Sequence, residues 1–296
     1  MKNSDICVLS IDAGGTSLKS ALVKHDTVIE ESWISLPVCS DGSALEIQEA
    51  YIQLGQAARQ TARRLNMEIR QTAVCIPGPF DYPSGRFLMK HKYQTVYGYS
   101  IIPWLEKGLG KAIPIRFLHD STAFLLGACS DILLPGDGRL CGVIIGTGLG
   151  FASMIDGKIF EQPSGGPGIS IYGLPYLNGT AEDYISKRGI ITRYRQLISD
   201  CRKEIEVKEI ATLAFQGDEK ARQVFEETGE HLASVLLPVI SKYHFTNMVL
   251  GGAISKSADL FLPALKRGLE TVSISVQPAS NPDTAPLLGA ARYLFY

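Results

Sequence analysis

Two glycine- and threonine-bearing turns, Asp12-Ala13-Gly14-Gly15-Thr16 and Gly146-Thr147-Gly148-Leu149-Gly150, stand far apart in the chain. Each is framed by short apolar runs: Ile6 to Ile11 and Leu18 to Val23 around the first, Cys141 to Ile145 and Phe151 to Ile155 around the second. Apolar runs of that length on either side of a tight glycine turn predict a β-hairpin. A chain that opens each half with the same hairpin and continues into helical periodicity is confined to few architectures. The pattern predicts a duplicated α/β unit, strands first and helices after.

The segments between the hairpins fit that plan. From Ala44 to Leu65, apolar residues recur every three or four positions (Ala44, Ile47, Ala50, Tyr51, Leu54, Ala58, Ala62, Leu65), which predicts an amphipathic helix. Thr72 to Ile76 reads as a buried strand stopped by Pro77-Gly78-Pro79, and a short helix follows Pro103 with Trp104, Leu105 and Leu109 inward. Pro114 to Leu118 predicts another strand, running into His119-Asp120 and a helix over Ser121 to Cys129 that Asp120 or Ser121 can cap. A turn is expected at Pro135-Gly136-Asp137-Gly138, with helices at Ala181 to Lys187, Ile191 to Cys201, Val207 to Phe215 and Lys220 to Lys242. Strand Asn247 to Leu250 then meets Gly251-Gly252, and Pro286 to Leu294 closes the chain as a helix. The domain boundary is expected between Asp120 and Cys141. Residues 1–120 would form the N-terminal lobe, rejoined by the C-terminal helix 286–296, and residues 121–285 the C-terminal lobe.

Charge narrows the partners. With 29 Lys plus Arg against 30 Asp plus Glu in 296 residues, the net charge of -1 offers nothing to draw the chain to nucleic acid or an acidic membrane surface. The most apolar stretch, Cys141 to Ile155, is broken by Gly146, Gly148 and Gly150 and is shorter than the roughly 20 residues of a membrane span. The start, Met1 to Asp5, lacks the basic and apolar parts of a signal peptide, so a cytoplasmic protein is expected. The six cysteines form no Cys-x-x-Cys pair and read as reduced thiols.

The chemistry concentrates at the turns. Gly14 and Gly15 let backbone amides approach an anion, Thr16 adds a hydroxyl, and Asp12 can hold a hydrated divalent cation, which is the equipment a nucleotide's terminal phosphates need. An ordinary hairpin turn is the alternative. Gly146, Thr147 and Gly148 repeat the phosphate cradle without the carboxylate. Gly251 and Gly252, after a strand, suit a flat ring such as adenine lying on bare backbone, or a plain strand-ending turn. Asp120 is the candidate general base for phosphoryl transfer to an alcohol, with helix capping as its compatible alternative. His119 beside it either hydrogen-bonds a substrate or serves the structure.

These residues together resemble the ROK sugar kinases. Ile11 to Lys19 (IDAGGTSLK) is similar to the family's first phosphate segment, Ile76 to Asp81 (IPGPFD) to its Pro-Gly-Pro loop, and Asp120 to its catalytic aspartate. Gly146-Thr147-Gly148 resembles the second phosphate hairpin, Val249 to Ile254 (VLGGAI) the adenosine segment, and Leu287 to Ala291 (LLGAA) the closing helix. The resemblance implies a two-lobed actin-like ATPase (ribonuclease H-like) fold, with duplicated mixed-sheet domains and a central cleft. It further implies transfer of the γ-phosphoryl group of ATP, with Mg2+, to a sugar hydroxyl, with Lys19 among the nucleotide-binding residues and Gly78 and His119 near the sugar. Glu182, in Gly179-Thr180-Ala181-Glu182-Asp183, is similar to a family glutamate that contacts the sugar; otherwise it is an acidic residue in a helix's first turn. A homodimer is implied in the same way.

The departures bear on the acceptor. His119 stands where the family has Asn, and in Gly165 to Gly173 (GGPGISIYG) Ile169 takes the place of a glutamate and Tyr172 that of a histidine. The family's zinc-binding cysteines are missing, with Tyr176 to Thr180 in their place, so no zinc site is expected. The reading is an ATP-dependent kinase for a sugar or sugar derivative, hexose or N-acetylhexosamine-like. Two others stay open: a non-catalytic sugar or nucleotide sensor, and an ATPase or a kinase for a non-sugar alcohol. A DNA-binding regulator is disfavoured, because about ten residues before Asp12 leave no room for a helix-turn-helix of roughly 20 residues. Tyr97, Tyr99 and Trp104 either line the acceptor cleft or fill core.

Overall fold

Asp5–Ala13 is a strand because its apolar residues fill both faces and none of its positions follows a helical period. The chain reverses over residues 14–16 and returns antiparallel as Ser17–Lys24, with Ala13 opposite Leu18 and Asp12 opposite Lys19. On its other side Asp5–Ala13 pairs in parallel with Met67–Ile76, which pairs in parallel with Ile115–His119. Thr27–Val28 and Ile34–Pro37 both pair with Ser17–Lys24 to complete a six-stranded sheet among the described residues. The computed structural model describes residues 5–90, 92–129, 138–198 and 204–296; the expected turn at residues 135–137 and Cys201 lie outside them.

The parallel pairs demand crossover connections, and helices supply them. Ala44–Arg64 starts at a capping box in which the Ser43 amide donates to Glu46 Oε2 (2.7 Å) and the Glu46 amide to Ser43 Oγ (3.3 Å). Its buried face, Ile47, Tyr51, Leu54, Ala58 and Ala62, follows the predicted period and lies in a core with Ile11, Val74 and Trp104.

The second sheet repeats the plan. Leu140–Ile145 and Leu149–Ile155 form the antiparallel hairpin, extended by Lys158–Ile159. Leu140–Ile145 pairs in parallel with Asn247–Gly251, and that strand with Ser275–Pro278. In both sheets the hairpin thus lies toward one edge and the parallel strands run on to the other. A separate core, including Phe225, Leu236, Met248 and Phe261, lies under the second. Its helices include Val207–Phe215 and Glu219–Tyr243, the latter capped by Asp218, whose Oδ1 accepts from the Ala221 amide at 2.7 Å.

Two units result. One comprises the described residues of Met1–Ser130 with Glu161–Pro167 and Asp283–Tyr296; the other comprises those of Asp131–Phe160 and Gly168–Pro282. The helix Asp120–Ala128 therefore lies with the first unit, not with the residues after 120 as expected. The reason is local: it packs against the closing helix Ala285–Tyr293 through glycines that let the two backbones touch. A Cβ on Gly127 would overlap the Ala285 carbonyl, and one on Gly289 would overlap that of Ala123. Gly289→Ala is expected to cost about 3 kcal/mol of stability, read as a lower urea midpoint; an unchanged midpoint would show that the helices have room to spare.

Some expected boundaries move. The helices expected at Ala181 to Lys187 and Ile191 to Cys201 are Ala181–Ile185 and Lys187–Leu197, because the backbone at Ser186 is extended (φ -92°, ψ 176°) and breaks the first. The strands Ile34–Pro37 and Ser275–Pro278 carry too few apolar residues to be read from period alone.

Candidate active site

Sheet register assembles the first unit's polar residues before any side chain is considered. Asp12 lies opposite Cys75 across one parallel pair, and Ile76 opposite His119 across the next. The carboxyl ends of three neighbouring strands thus place Asp12, the loop Pro77-Gly78-Pro79 and His119-Asp120 in one row. That edge is where α/β sheets bind ligands, because the connecting loops leave backbone groups unpaired there.

The first turn is prepared for an anion. Its carbonyls are consumed: Gly14 O accepts from the Tyr93 hydroxyl (2.5 Å), Gly15 O from the Ser40 amide (3.0 Å) and Thr16 O from the Val38 amide (3.1 Å). The Gly14 amide closes the turn on Ser17 O (3.0 Å), whereas the amides of Gly15 and Thr16 have no acceptor among the described residues. Uncommitted donors beside fully committed acceptors leave a net positive field, the electrostatic requirement for phosphate.

Asp120 opens a helix with His119 at the N-cap position, and, as expected, the Asp120 carboxylate takes an orphan amide, that of Ser121. His119 Nδ1 lies 2.8 Å from Asp120 Oδ1, and the Ser121 amide reaches the same oxygen at 2.7 Å but Nδ1 only at 3.2 Å. The shorter contact gives the Ser121 amide to the carboxylate, and Nδ1 is shared between Asp120 Oδ1 and Ser121 Oγ, each 2.8 Å away. Partial burial pushes the Asp120 carboxyl up, but the charge and hydrogen bond of His119, the Ser121 amide and the charge of Lys92 outweigh it and hold the group below the usual carboxylate range. It is ionised at neutral pH, and with 44% of its side chain exposed it is reachable. His119 Nε2 faces Gly78, where an added Cβ would lie 3.7 Å away.

Asp12 is held oppositely. Burial first, then the charge of Asp120, push its carboxyl up to about 6, against the pull of Lys19 and the Cys75 thiol. The thiol, 3.7 Å from Asp12 Oδ1, stays protonated because burial and both carboxylates raise its pKa. Two carboxylates that repel across this edge fit a divalent cation. No group of three or more His, Cys, Asp or Glu side chains among the described residues is placed to hold a metal, so the ion that fits is one bound largely through water and substrate oxygens, as Mg2+ is.

In the second unit the turn at Gly146–Gly148 is braced otherwise. The Gly146 amide donates to Gly148 O (3.0 Å) and Gly146 O accepts from the Lys187 amide (2.9 Å). The Thr147 and Gly148 amides have no backbone acceptor among the described residues. Glu182 is no free residue of a helix's first turn: its Oε2 accepts from the Leu149 amide at 2.9 Å. Gly252, at φ 84°, packs where a Cβ would strike the backbone of Ile145, so the Gly251-Gly252 pair lies directly beside the turn. Only glycine combines that dihedral with that approach.

Other expected residues separate. Tyr172 is exposed, and its carbonyl anchors the Glu182 amide at 3.0 Å. Ile169 is packed in the second unit's core. Trp104 is buried, while Tyr97 and Tyr99 lie on the surface. Cys75, Ser40, Lys92 and Tyr93 were missed. Cys75 could have been found from its place in the strand before Pro77; the other three come from loops whose course no periodicity records.

A family model described as "ROK family" matches residues 8–170 and 177–295. The N-acetyl-D-glucosamine kinase of Vibrio cholerae is 25% identical over 241 residues, 73% of this chain and 78% of that protein. Among solved structures, a ROK family glucokinase from Streptomyces griseus in complex with glucose and AMPPNP superposes with a TM-score of 0.78 at 20% identity, over 97% of this chain and 98% of that one. A ROK family transcriptional regulator, a homologue of the E. coli MLC protein, gives 0.77 at 19% identity, over 100% of this chain and 81% of its own.

Proposed function

Because this chain belongs to the ROK family and has the actin-like ATPase fold of its structural neighbours, we propose that it is an ATP-dependent kinase that phosphorylates a hydroxyl of a sugar or sugar derivative. The observation that carries the reading is the strand edge at which an ionised Asp120, an elevated Asp12 and two uncommitted amides are neighbours. In-line transfer needs little more than positioning and charge stabilisation. The Gly15 and Thr16 amides and the Thr16 hydroxyl hold terminal phosphate oxygens, and Asp120 accepts the proton of the attacking hydroxyl. His119 keeps that carboxylate oriented through Nδ1 and offers Nε2 to a second hydroxyl. Asp12, with Lys19 beside it in the hairpin, would hold Mg2+ through water; when bound, the ion neutralises phosphate charge. Thr147 with Gly146 and Gly148 forms the second phosphate turn, and Gly251-Gly252 takes the adenosine.

An acceptor like that of the Vibrio cholerae relative, an N-acetylhexosamine, is the first to try. Release of ADP, followed by a coupled assay across hexoses, N-acetylhexosamines and non-sugar alcohols, is expected only with a sugar present. ADP without acceptor would mean an ATPase, and ADP with non-sugar alcohols alone would exclude the sugar assignment. A second reading is a sensor that binds sugar without phosphorylating it. The burial of Ile169, where the family resemblance puts a sugar-contacting glutamate, and the likeness to a regulator favour it. No ADP with any acceptor, together with sugar binding by calorimetry, would establish that reading.

A further inference from the structure

Lys92 is a half-buried cation. It forms no ion pair or hydrogen bond among the described residues, although ordering a lysine stem has an entropic cost that a solvent-facing rotamer would avoid. Its position is specified instead by the residue after it. The Tyr93 amide donates to Ser40 O (2.8 Å) and its hydroxyl to Gly14 O (2.5 Å), and the ring is fully buried. Tyr93 also adopts a left-handed backbone, φ 54°, a conformation that costs an aromatic residue about 1 kcal/mol or more and persists where its surroundings over-determine it. The loop is thereby fastened to the first phosphate turn. Lys92 Cδ and Cε then lie 3.6 and 3.8 Å from where a Cβ on Gly15 would be. From there the charge reaches Asp120 and helps to hold its carboxyl low. The stem of Lys92 thus lies against the first phosphate turn, and its charge is felt at the Asp120 carboxylate.

We propose that Lys92 is a further catalytic residue, whose ammonium group contacts the phosphoryl group during its transfer from nucleotide to acceptor. This rests on the kinase reading. In the step, the bond from the γ-phosphorus to the oxygen bridging to the β-phosphate breaks, and its electron pair leaves on ADP. A bond from the acceptor oxygen to the γ-phosphorus forms, and the hydroxyl proton passes to Asp120. Lys92 keeps its protons throughout and neutralises charge on the equatorial oxygens. A cation aimed at charge that develops in transit is worth more than one that binds the ground state.

The test compares wild type, Lys92→Met and Lys92→Arg in calorimetric binding of ADP and of the β,γ-imido analogue of ATP, and in steady-state turnover with the best acceptor. Lys92→Met is expected to lower kcat about 10²-fold, to weaken the analogue about tenfold, and to leave ADP affinity and the acceptor KM within about twofold; Lys92→Arg recovers part of kcat. Unchanged kcat, a loss confined to the acceptor KM, or equal loss for ADP and analogue would each overturn the assignment, the last by showing a structural defect. Wild type that binds neither nucleotide would remove the kinase reading itself, whereas wild type that prefers the analogue while Lys92→Met does so equally removes only Lys92.

Discussion

Asp120→Asn is expected to lose about 10²–10⁴-fold in kcat while nucleotide affinity and melting temperature stay near wild type. The substitution is close to isosteric, and an amide oxygen can still accept from the Ser121 amide, so the helix start at residue 120 keeps that hydrogen bond. What disappears is the negative charge and, with it, the site proposed for the acceptor's proton. The wild-type group is ionised well below neutrality, because His119, the Ser121 amide and Lys92 together overcome the effect of partial burial. Turnover of the variant should therefore stay low at every pH. ADP release with saturating acceptor, measured beside calorimetric nucleotide binding, provides the check. Turnover within threefold of wild type would remove Asp120 from the mechanism.

Asp12→Asn is expected to move stability and activity in opposite directions. In the folded chain the Asp12 carboxyl is pushed up to about 6, against 3.8 for an ordinary aspartate, by burial and by the charge of Asp120. The folded state therefore binds the proton more tightly than the unfolded one. Stability is fully present below about pH 4 and declines as pH rises through 6, so above that pH an ionised Asp12 is a standing cost in cation-free solution. At about 1.4 kcal/mol per factor of ten in proton affinity, discounted for the partial exposure of the side chain, the asparagine variant gains about 2 kcal/mol at pH 8 with chelator present. The gain should vanish near pH 4. Urea midpoints across that range measure it, and an asparagine variant less stable than wild type at pH 8 would contradict the assignment. Turnover is expected to move the other way, falling by about 10²-fold or more, because the variant would no longer hold the hydrated cation proposed there, whose charge neutralisation is worth several kcal/mol. A residue that destabilises the empty protein and is required by the loaded one carries the signature of a ligand site.

Much of this was legible in the residues. Gly14, Gly15 and Thr16 between two apolar runs read as a tight hairpin turn, and their counterparts at Gly146–Gly148 made the duplication visible because hairpins are specified locally, by turn residues and a period of two. Asp12 and Asp120 were read as strand-end carboxylates for the same reason. The helix period from Ala44 to Leu65 also predicted its buried face. Register was not legible. That Asp12 lies opposite Cys75, and Ile76 opposite His119, depends on long-range pairing that no local pattern encodes.

By itself, then, the order of residues determined two hairpins, their anion-ready turns and the two aspartates, since each follows from neighbours in the chain. Only tertiary structure decided that Asp12 would be raised and Asp120 lowered, that Glu182 would brace the Leu149 amide, that the helix from Asp120 would join the first unit, and that Tyr93 would hold Lys92 against Gly15. The physical reason is common to all four: charge, desolvation and close packing act between groups brought near in space, and their strength depends on distances that the chain acquires only when its sheets have formed.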